Sequence, residues 1–187
     1  MVSENILKDV VEFLQGRVAC LDIYQTVHGL ARQVTDGDGK VFPVIYTGNG
    51  KYKPLEYSQT SGMIYFRKAG DITSEDVETV LPCDRVAEYT IPLKMVSFIR
   101  GDKIGTDDVY FDDRLAQTLD VVLTKKGLAS ASGALRASVK MGSYSNDRTK
   151  IIAEEYDGQE FKDLNYSWSY LSMDLIAKLR VDKNCEN

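Results

Sequence analysis

The longest regular alternation of apolar and polar positions lies near the end of the chain, at residues 166–181. Odd and even positions of its second half differ in character: Leu171, Met173, Leu175, Ala177, Leu179 and Val181 alternate with Ser172, Asp174, Ile176, Lys178 and Arg180. A period of two is typical of a strand with one buried face. Since no proline or glycine interrupts the run, the pattern predicts a long strand deep in a sheet, with its odd positions toward the core.

Shorter alternating or apolar runs predict further strands. They cover residues 30–35, 41–47, 63–68, 89–100 and 135–141. Asp36-Gly37-Asp38-Gly39 and Gly48-Asn49-Gly50 predict tight turns. Pro43 indicates that its strand lies at a sheet edge, because proline cannot donate to a ladder of hydrogen bonds. The segment 18–27 is predicted as one more strand, and residues 51–61 as a polar loop.

Apolar stripes with a helical period predict two helices. Residues 6–14 carry the first stripe, between a capping Ser3 and a helix-ending Gly16. The second helix covers residues 109–126, where acidic residues come first and lysines come last, in agreement with the helix dipole. Residues 147–156 form either a short helix or a hairpin, and we favour the helix.

The acidic stretch 71–88 predicts an exposed excursion with one helical turn at Ser74. Because strands do not alternate strictly with helices, a doubly wound parallel sheet is disfavoured. The elements together predict an α+β fold, with a mainly antiparallel β-sheet and two or three helices packed on one face. The length of 187 residues suits a single domain, 1–187.

The composition of the chain argues against several classes of binding partner. The formal net charge of −5 argues against a nucleic-acid backbone or an anionic membrane surface as the main partner. No apolar run reaches the ~20 residues that span a bilayer, and the first residues do not resemble a signal peptide. Cys20, Cys83 and Cys185 are odd in number and far apart, which disfavours a disulfide framework or a zinc site and fits cytosolic synthesis.

The motifs that carry chemistry are incomplete. His28 is the single histidine, and no partner motif stands near it, so we predict no enzymatic role for it. Gly48-Asn49-Gly50-Lys51 lacks the spacing of a phosphate-binding loop, and Asp36-Gly37-Asp38-Gly39-Lys40 lacks the later ligands of a calcium loop. We therefore predict no catalytic residue, no cofactor and no metal.

Four carboxylates stand close together, at Asp107, Asp108, Asp112 and Asp113. They are either an acid–base or magnesium cluster, or the cap and first turn of the second helix. Capping and the helix dipole account for all four, so we favour the structural interpretation.

Aromatic residues give the candidate interface. Tyr166, Trp168 and Tyr170 occupy alternate positions of one strand, as core filling, as a stacking platform for bases or as an interface anchor. The acidic balance of the chain makes the base platform the weakest alternative, and the other two stay equally open. Ile176 is the one large apolar residue among the polar even positions, and we include it in the candidate interface.

The order of elements resembles that of the neck proteins and tail terminators of tailed phages. The matching parts are the opening helix at 6–14, the strand Val41-Phe42-Pro43-Val44-Ile45-Tyr46-Thr47-Gly48, the acidic excursion before 89–100, the helix 109–126 and the alternating last strand. The resemblance covers most of the chain in outline, without a single diagnostic motif.

The resemblance implies a non-enzymatic virion protein in the phage neck or head–tail connector. Its expected partners are further copies of itself in a ring, the portal, and neighbouring neck or tail ring proteins. DNA would only pass through the channel, where an acidic lining repels phosphate. The alternatives are a small cytosolic enzyme, or a monomeric ligand-binding domain, that uses carboxylates and tyrosines. Mass in solution separates the ring from both.

Overall fold

The computed structural model describes residues 2–55, 60–77, 86–101, 110–124, 135–156 and 168–182. The helices of these ranges are α1 (Val2–Val18), α2 (Phe111–Thr124) and α3 (Arg148–Glu155). The strands are β1 (Thr26–Thr35), β2 (Val41–Gly48), β3 (Lys51–Pro54), β4 (Gly62–Lys68), β5 (Thr73–Val77), β6 (Val86–Arg100), β7 (Leu135–Ser145) and β8 (Trp168–Asp182).

All eight strands belong to one sheet, in the order β3-β2-β1-β4-β6-β8-β7, and β5 pairs with β6 beside this path. Across the described strands, β1 and β4 form the one parallel pair. The predicted α+β class with a mainly antiparallel sheet is confirmed.

The last strand lies inside the sheet, as its pattern predicts. β8 pairs with β6 along its whole length and with β7 on its other side. Five of the six odd positions are buried: Leu171, Met173, Leu175, Ala177 and Leu179. Ile176, on the other face, is 42% exposed. The predicted register of β8 is therefore confirmed.

The sheet has a core on each face. On the first face, α1 and α2 cover residues such as Phe66, Met95 and Met173. On the second face, Ile151 and Ile152 of α3 pack on an aromatic layer that includes Tyr65, Phe98 and Tyr170. The prediction that the helices share one face holds for α1 and α2 and is wrong for α3. The cause is the central strand β4, whose residues 62–66 are all buried and thus require cover on both faces.

The helix ends differ from the prediction. α1 runs from Val2 to Val18, so that Ser3 and Gly16 lie within it rather than at its ends. Glycine inside a helix costs ~0.5–1 kcal/mol relative to alanine, and the complete burial of Val18 two residues later offsets this cost. For residues 147–156 the favoured helix is confirmed: the Asp147 carboxylate caps α3 by accepting a hydrogen bond from the Lys150 amide at 3.1 Å.

Three strand predictions require correction. Residues 19–25 are turns, and the strand predicted at 18–27 begins only at Thr26. Pro43 is not on the edge, because β3 forms within the predicted polar loop and pairs with β2 from outside. Ser74 lies in strand β5 rather than in a helical turn. Both short strands are polar and exposed, so their sequences lack the hydrophobic alternation that reveals a half-buried strand.

Glu88, at the end of the acidic stretch, is buried rather than exposed. Its carboxylate accepts hydrogen bonds from Lys178 Nζ at 2.7 Å and from Arg180 Nε at 2.8 Å, both on the adjacent β8. These two hydrogen bonds hold the pKa of Glu88 below its usual value. A lowered pKa in the folded state contributes stability above the unfolded pKa of ~4.3, and this stability is lost as pH falls through the folded value.

We therefore expect Glu88→Gln to flatten the acid limb of the stability curve. Thermal melts between about pH 7 and about pH 3 should show a smaller fall in Tm for Glu88→Gln than for the wild type. The matched change Asp9→Asn, at an exposed position of α1, should leave the curve unchanged. An unaltered acid limb in Glu88→Gln would contradict the assigned role of this ion pair.

Candidate assembly surface

A pair of exposed tyrosines lies at one edge of the sheet. Asn49 and Gly50 adopt positive φ angles of 52° and 72° in the turn between β2 and β3, which sets Tyr46 directly opposite Tyr52. Their ring centroids lie 5.4 Å apart, and the two residues are 58% and 44% exposed. The hairpin therefore presents two neighbouring rings, whose planes are tilted by 56°, to the outside of this chain.

Arg32 of β1 completes this group, which we call the tyrosine edge (Arg32, Tyr46 and Tyr52). The Arg32 guanidinium carbon lies 3.7 Å from the centroid of the Tyr52 ring, a cation–π contact. Tyrosine and arginine are enriched at protein interfaces, where they carry much of the binding energy. The tyrosine edge is thus the strongest interface candidate among the described residues.

The edge strand β3 itself is basic. All four of its residues are exposed, and Lys51 and Lys53 alternate with Tyr52 and Pro54. Because neighbouring side chains on a strand point to opposite faces, the two lysines project on the face opposite the tyrosine edge. Lysine and proline on an edge discourage unspecific strand pairing, so this edge favours partners with acidic side chains.

The short strand β5 has the complementary charge. It pairs with β6 on one side, and within the described ranges no strand pairs with its other side. Its residues 73–76 are exposed and include Glu75 and Asp76. Glu75 lies opposite Glu88 in the register, on the second face of the sheet. Ala31 belongs to the core on the second face. Arg32 is the next residue of β1, so Arg32 and the rest of the tyrosine edge lie on the first face. Lys51 and Lys53 lie on the opposite face, which is the second face and also carries Glu75.

The remaining open edge, β7, is not complementary to β3. Lys140 is exposed there and lies beside Ile176 of β8. Like charges that meet across strands are destabilising. Near the other end of β7, the Tyr144 hydroxyl donates to Asp113 Oδ1 at 2.9 Å, and this bond raises the pKa of Tyr144. β5 is therefore a better match for β3 than β7 is.

The residues predicted from the sequence lie in different places. Tyr170 is 2% exposed and contacts Phe98 edge-on at 5.4 Å, so core filling accounts for it. Trp168 is partly buried against the same core, and Tyr166 lies outside the described residues. Ile176 is exposed as expected, yet three strands separate β8 from β2, so the structure does not bring it to the tyrosine edge.

Sequence reasoning missed the tyrosine edge, although a signal for it was present. Tyr46 and Tyr52 lie on either side of the Gly48-Asn49-Gly50 turn, and a hairpin through such a turn pairs residues nearly symmetric about it. Because residues 51–61 are predicted as a polar loop, the sequence-based prediction does not include this pairing. The acidic cluster at the second helix is explained in part: Asp112 accepts a hydrogen bond from Ser169 Oγ, and Asp113 accepts one from Tyr144. Asp107 and Asp108 lie outside the described residues.

In the part of the chain that the structure describes, no three His, Cys, Asp or Glu side chains are grouped as metal ligands. None of the described helices combines the length and the apolar character needed to cross a membrane. Compared with models of known protein families and with curated protein sequences, the chain gives no match.

Proposed function

We propose that this protein is a non-enzymatic subunit of a ring in the neck or head–tail connector of a tailed phage, where the ring links the portal to the tail. The proposal starts from the resemblance in element order. The observation that carries it is the pair of short, exposed and oppositely charged edge strands, β3 and β5. In this proposal DNA only passes through the ring, which agrees with the net charge of −5.

Pairing of β3 in one copy with β5 in the next generates a head-to-tail interface. The two strands have similar lengths, four and five residues, so the main chains can pair by strand addition. In a sheet continued across two copies, Lys51 and Lys53 share a face with Glu75. Such a heterologous interface forms a closed ring if the rotation between subunits closes, and a filament if it does not.

The energetics favour a ring that forms at high local concentration. Cross-strand charge pairs contribute only ~0.2–1 kcal/mol each, and the interface between two short strands is small. The tyrosine edge adds apolar area and an arginine next to the same strand. Closure of the ring links every subunit through two interfaces, and docking on a portal raises the effective concentration further.

A charge exchange tests the proposal. Lys51→Glu alone and Glu75→Lys alone should each reduce assembly, because each places like charges across the interface. The double variant Lys51→Glu/Glu75→Lys should recover assembly, because the pair is restored with reversed polarity. Light scattering of the pure protein, and electron microscopy with the portal protein, would report the change. Melting temperature in each variant serves as the control for folding.

Two results would contradict the proposal. The wild type could remain a strict monomer at high concentration and ignore the portal. Alternatively, it could assemble while both single variants assemble equally well, in which case the ring uses edges other than β3 and β5.

A further inference from the structure

A cavity of about 250 Å³ lies between β1, β3 and β4, on the second face of the sheet. Its polar lining consists of Thr26 and His28 from β1, Lys53 from β3, and Thr60 before β4. Leu55 and Met63 supply the apolar part, and they are only 4% and 1% exposed. The lining of the cavity thus combines polar side chains with buried apolar ones.

The strand geometry explains why His28 faces this space. β1 pairs with β4 in parallel, and the register shifts between Val27 and Leu30, so His28 and Gly29 lie in a bulge rather than in the regular ladder. Leu55, which lines the cavity, is fixed by a hydrogen bond: the Tyr156 hydroxyl, in the core on the second face, donates to the Leu55 carbonyl at 2.7 Å. The same fixed core therefore supports the groups around the cavity.

Among the described residues, the titratable side chains that line the cavity are both basic. Lys53 is the one other titratable side chain among the described residues that line the cavity with His28, and no carboxylate belongs to that set. In the described part of the chain, Lys53 and His28 form no ion pair. Burial lowers the pKa of His28, and the positive charge of Lys53 lowers it further. An anion in the cavity would reverse this effect.

The two threonine hydroxyls that line the cavity differ in their hydrogen-bond partners. Thr60 Oγ1 already has oxygen partners, the Gly62 carbonyl at 3.0 Å and Gln25 Oε1 at 3.2 Å. Thr26 is paired in register with Met63, and within the described residues its hydroxyl has no comparable partner. An ammonium, an imidazole and a hydroxyl thus line the same cavity as the apolar side chains of Leu55 and Met63.

We propose that this cavity binds a small oxyanion, a carboxylate or a phosphate, with its charged oxygens between Lys53 and His28. Thr26 donates a hydrogen bond to it, and any short apolar part of the ligand packs on Leu55 and Met63. This site requires no catalytic step, and it shares Lys53 with the strand β3 of the proposed ring interface. Since bound anion favours the protonated imidazole, binding should strengthen as pH falls through the pKa of His28.

The single histidine makes the test direct. Proton NMR would follow the imidazole resonances of His28 through a pH titration in chloride, in inorganic phosphate and in butyrate, at matched ionic strength. We expect phosphate or butyrate to raise the His28 pKa above its value in chloride, and a rise of one unit corresponds to about tenfold tighter binding by the protonated form. A rise with phosphate alone assigns the phosphate class, and a rise with butyrate alone assigns organic carboxylates.

Matched variants complete the design. Lys53→Gln should raise the His28 pKa in chloride, because the repelling charge is gone, and should abolish the further rise with the anion. Lys8→Gln, an exposed lysine of α1, should change neither result. Equal His28 pKa values in all three salts would overturn the proposal, and so would an anion effect that survives Lys53→Gln. Ring assembly is not needed for either readout, so this test can fail while the ring proposal stands.

Discussion

Leu175→Asp is expected to unfold the protein or to render it insoluble. Leu175 is 1% exposed and lies inside the sheet, between Leu93 of β6 and Met141 of β7. Loss of the leucine packing costs ~2–5 kcal/mol, and burial of an unpaired carboxylate adds to that cost. A total stability of ~5–15 kcal/mol leaves little margin. Thermal melts and the soluble fraction on expression would measure the effect.

The neighbouring residue provides the matched control. Ile176 points to the opposite face, is 42% exposed, and lies beside Lys140, which can accommodate a new carboxylate. Ile176→Asp should therefore leave Tm nearly unchanged. If Ile176 contacts a neighbouring subunit or ring, as the sequence pattern predicts for the candidate interface, the same variant should weaken assembly in a sizing experiment. A soluble, stable Leu175→Asp protein would contradict the register of β8, and equal loss of Tm in both variants would mean that β8 is buried on both faces.

The contrast between β8 and β4 shows which strands a sequence reveals. The odd positions of β8 are buried and its even positions are mostly polar, so its alternation gives the register directly. Residues 62–66 of β4 are buried on both faces, and a continuous apolar run carries no information about which face a helix covers. The position of α3 on the second face therefore could not be predicted from the sequence.

Interface residues were harder to predict than strands. Alternating aromatics such as Trp168 and Tyr170 have the same pattern in a core as on a surface, and the burial of Tyr170 depends on α3, which covers it. Tyr46 and Tyr52 remain exposed because Tyr52 lies in an edge strand of four residues and Tyr46 lies opposite it on β2. Their significance depends on pairing across a turn, and hydrophobic periodicity does not report such pairing.

The sequence pattern also gives no indication of the buried ion pair that lies beneath α3. Glu155 is 1% exposed, and its carboxylate accepts hydrogen bonds from Tyr65 OH at 3.0 Å and from Arg67 Nε at 2.7 Å. Residues 88 and 90 positions apart make these contacts. Burial raises the pKa of the Tyr65 hydroxyl well above its ordinary value, so this group remains a donor at neutral pH.

Arg67 also joins α3 to the sheet at a second carboxylate. Its guanidinium lies 3.3 Å from Glu154 Oε1, which Lys94 also contacts. The Glu154 carboxylate is partly exposed and, without Arg67, would keep Lys94 as a charged partner. Glu155, in contrast, depends on Arg67 for its only charged partner among the described residues. Loss of Arg67 should therefore act mainly through Glu155.

We expect Arg67→Met to destabilise the fold by ~3–5 kcal/mol, because it leaves the Glu155 carboxylate buried without a counter-charge. For a chain of this size, that corresponds to a fall in Tm of roughly 6–20 °C. The apolar triple variant Tyr65→Phe/Arg67→Met/Glu155→Leu should recover most of the loss, since it removes the buried charge and both donors together. Lys68→Met, at the adjacent exposed position, is the control and should shift Tm little. If Arg67→Met melted within a few degrees of the wild type, the Glu155 carboxylate would not depend on Arg67, and the packing of Ile151 and Ile152 together with the Lys94–Glu154 ion pair would be enough to hold α3 to the sheet.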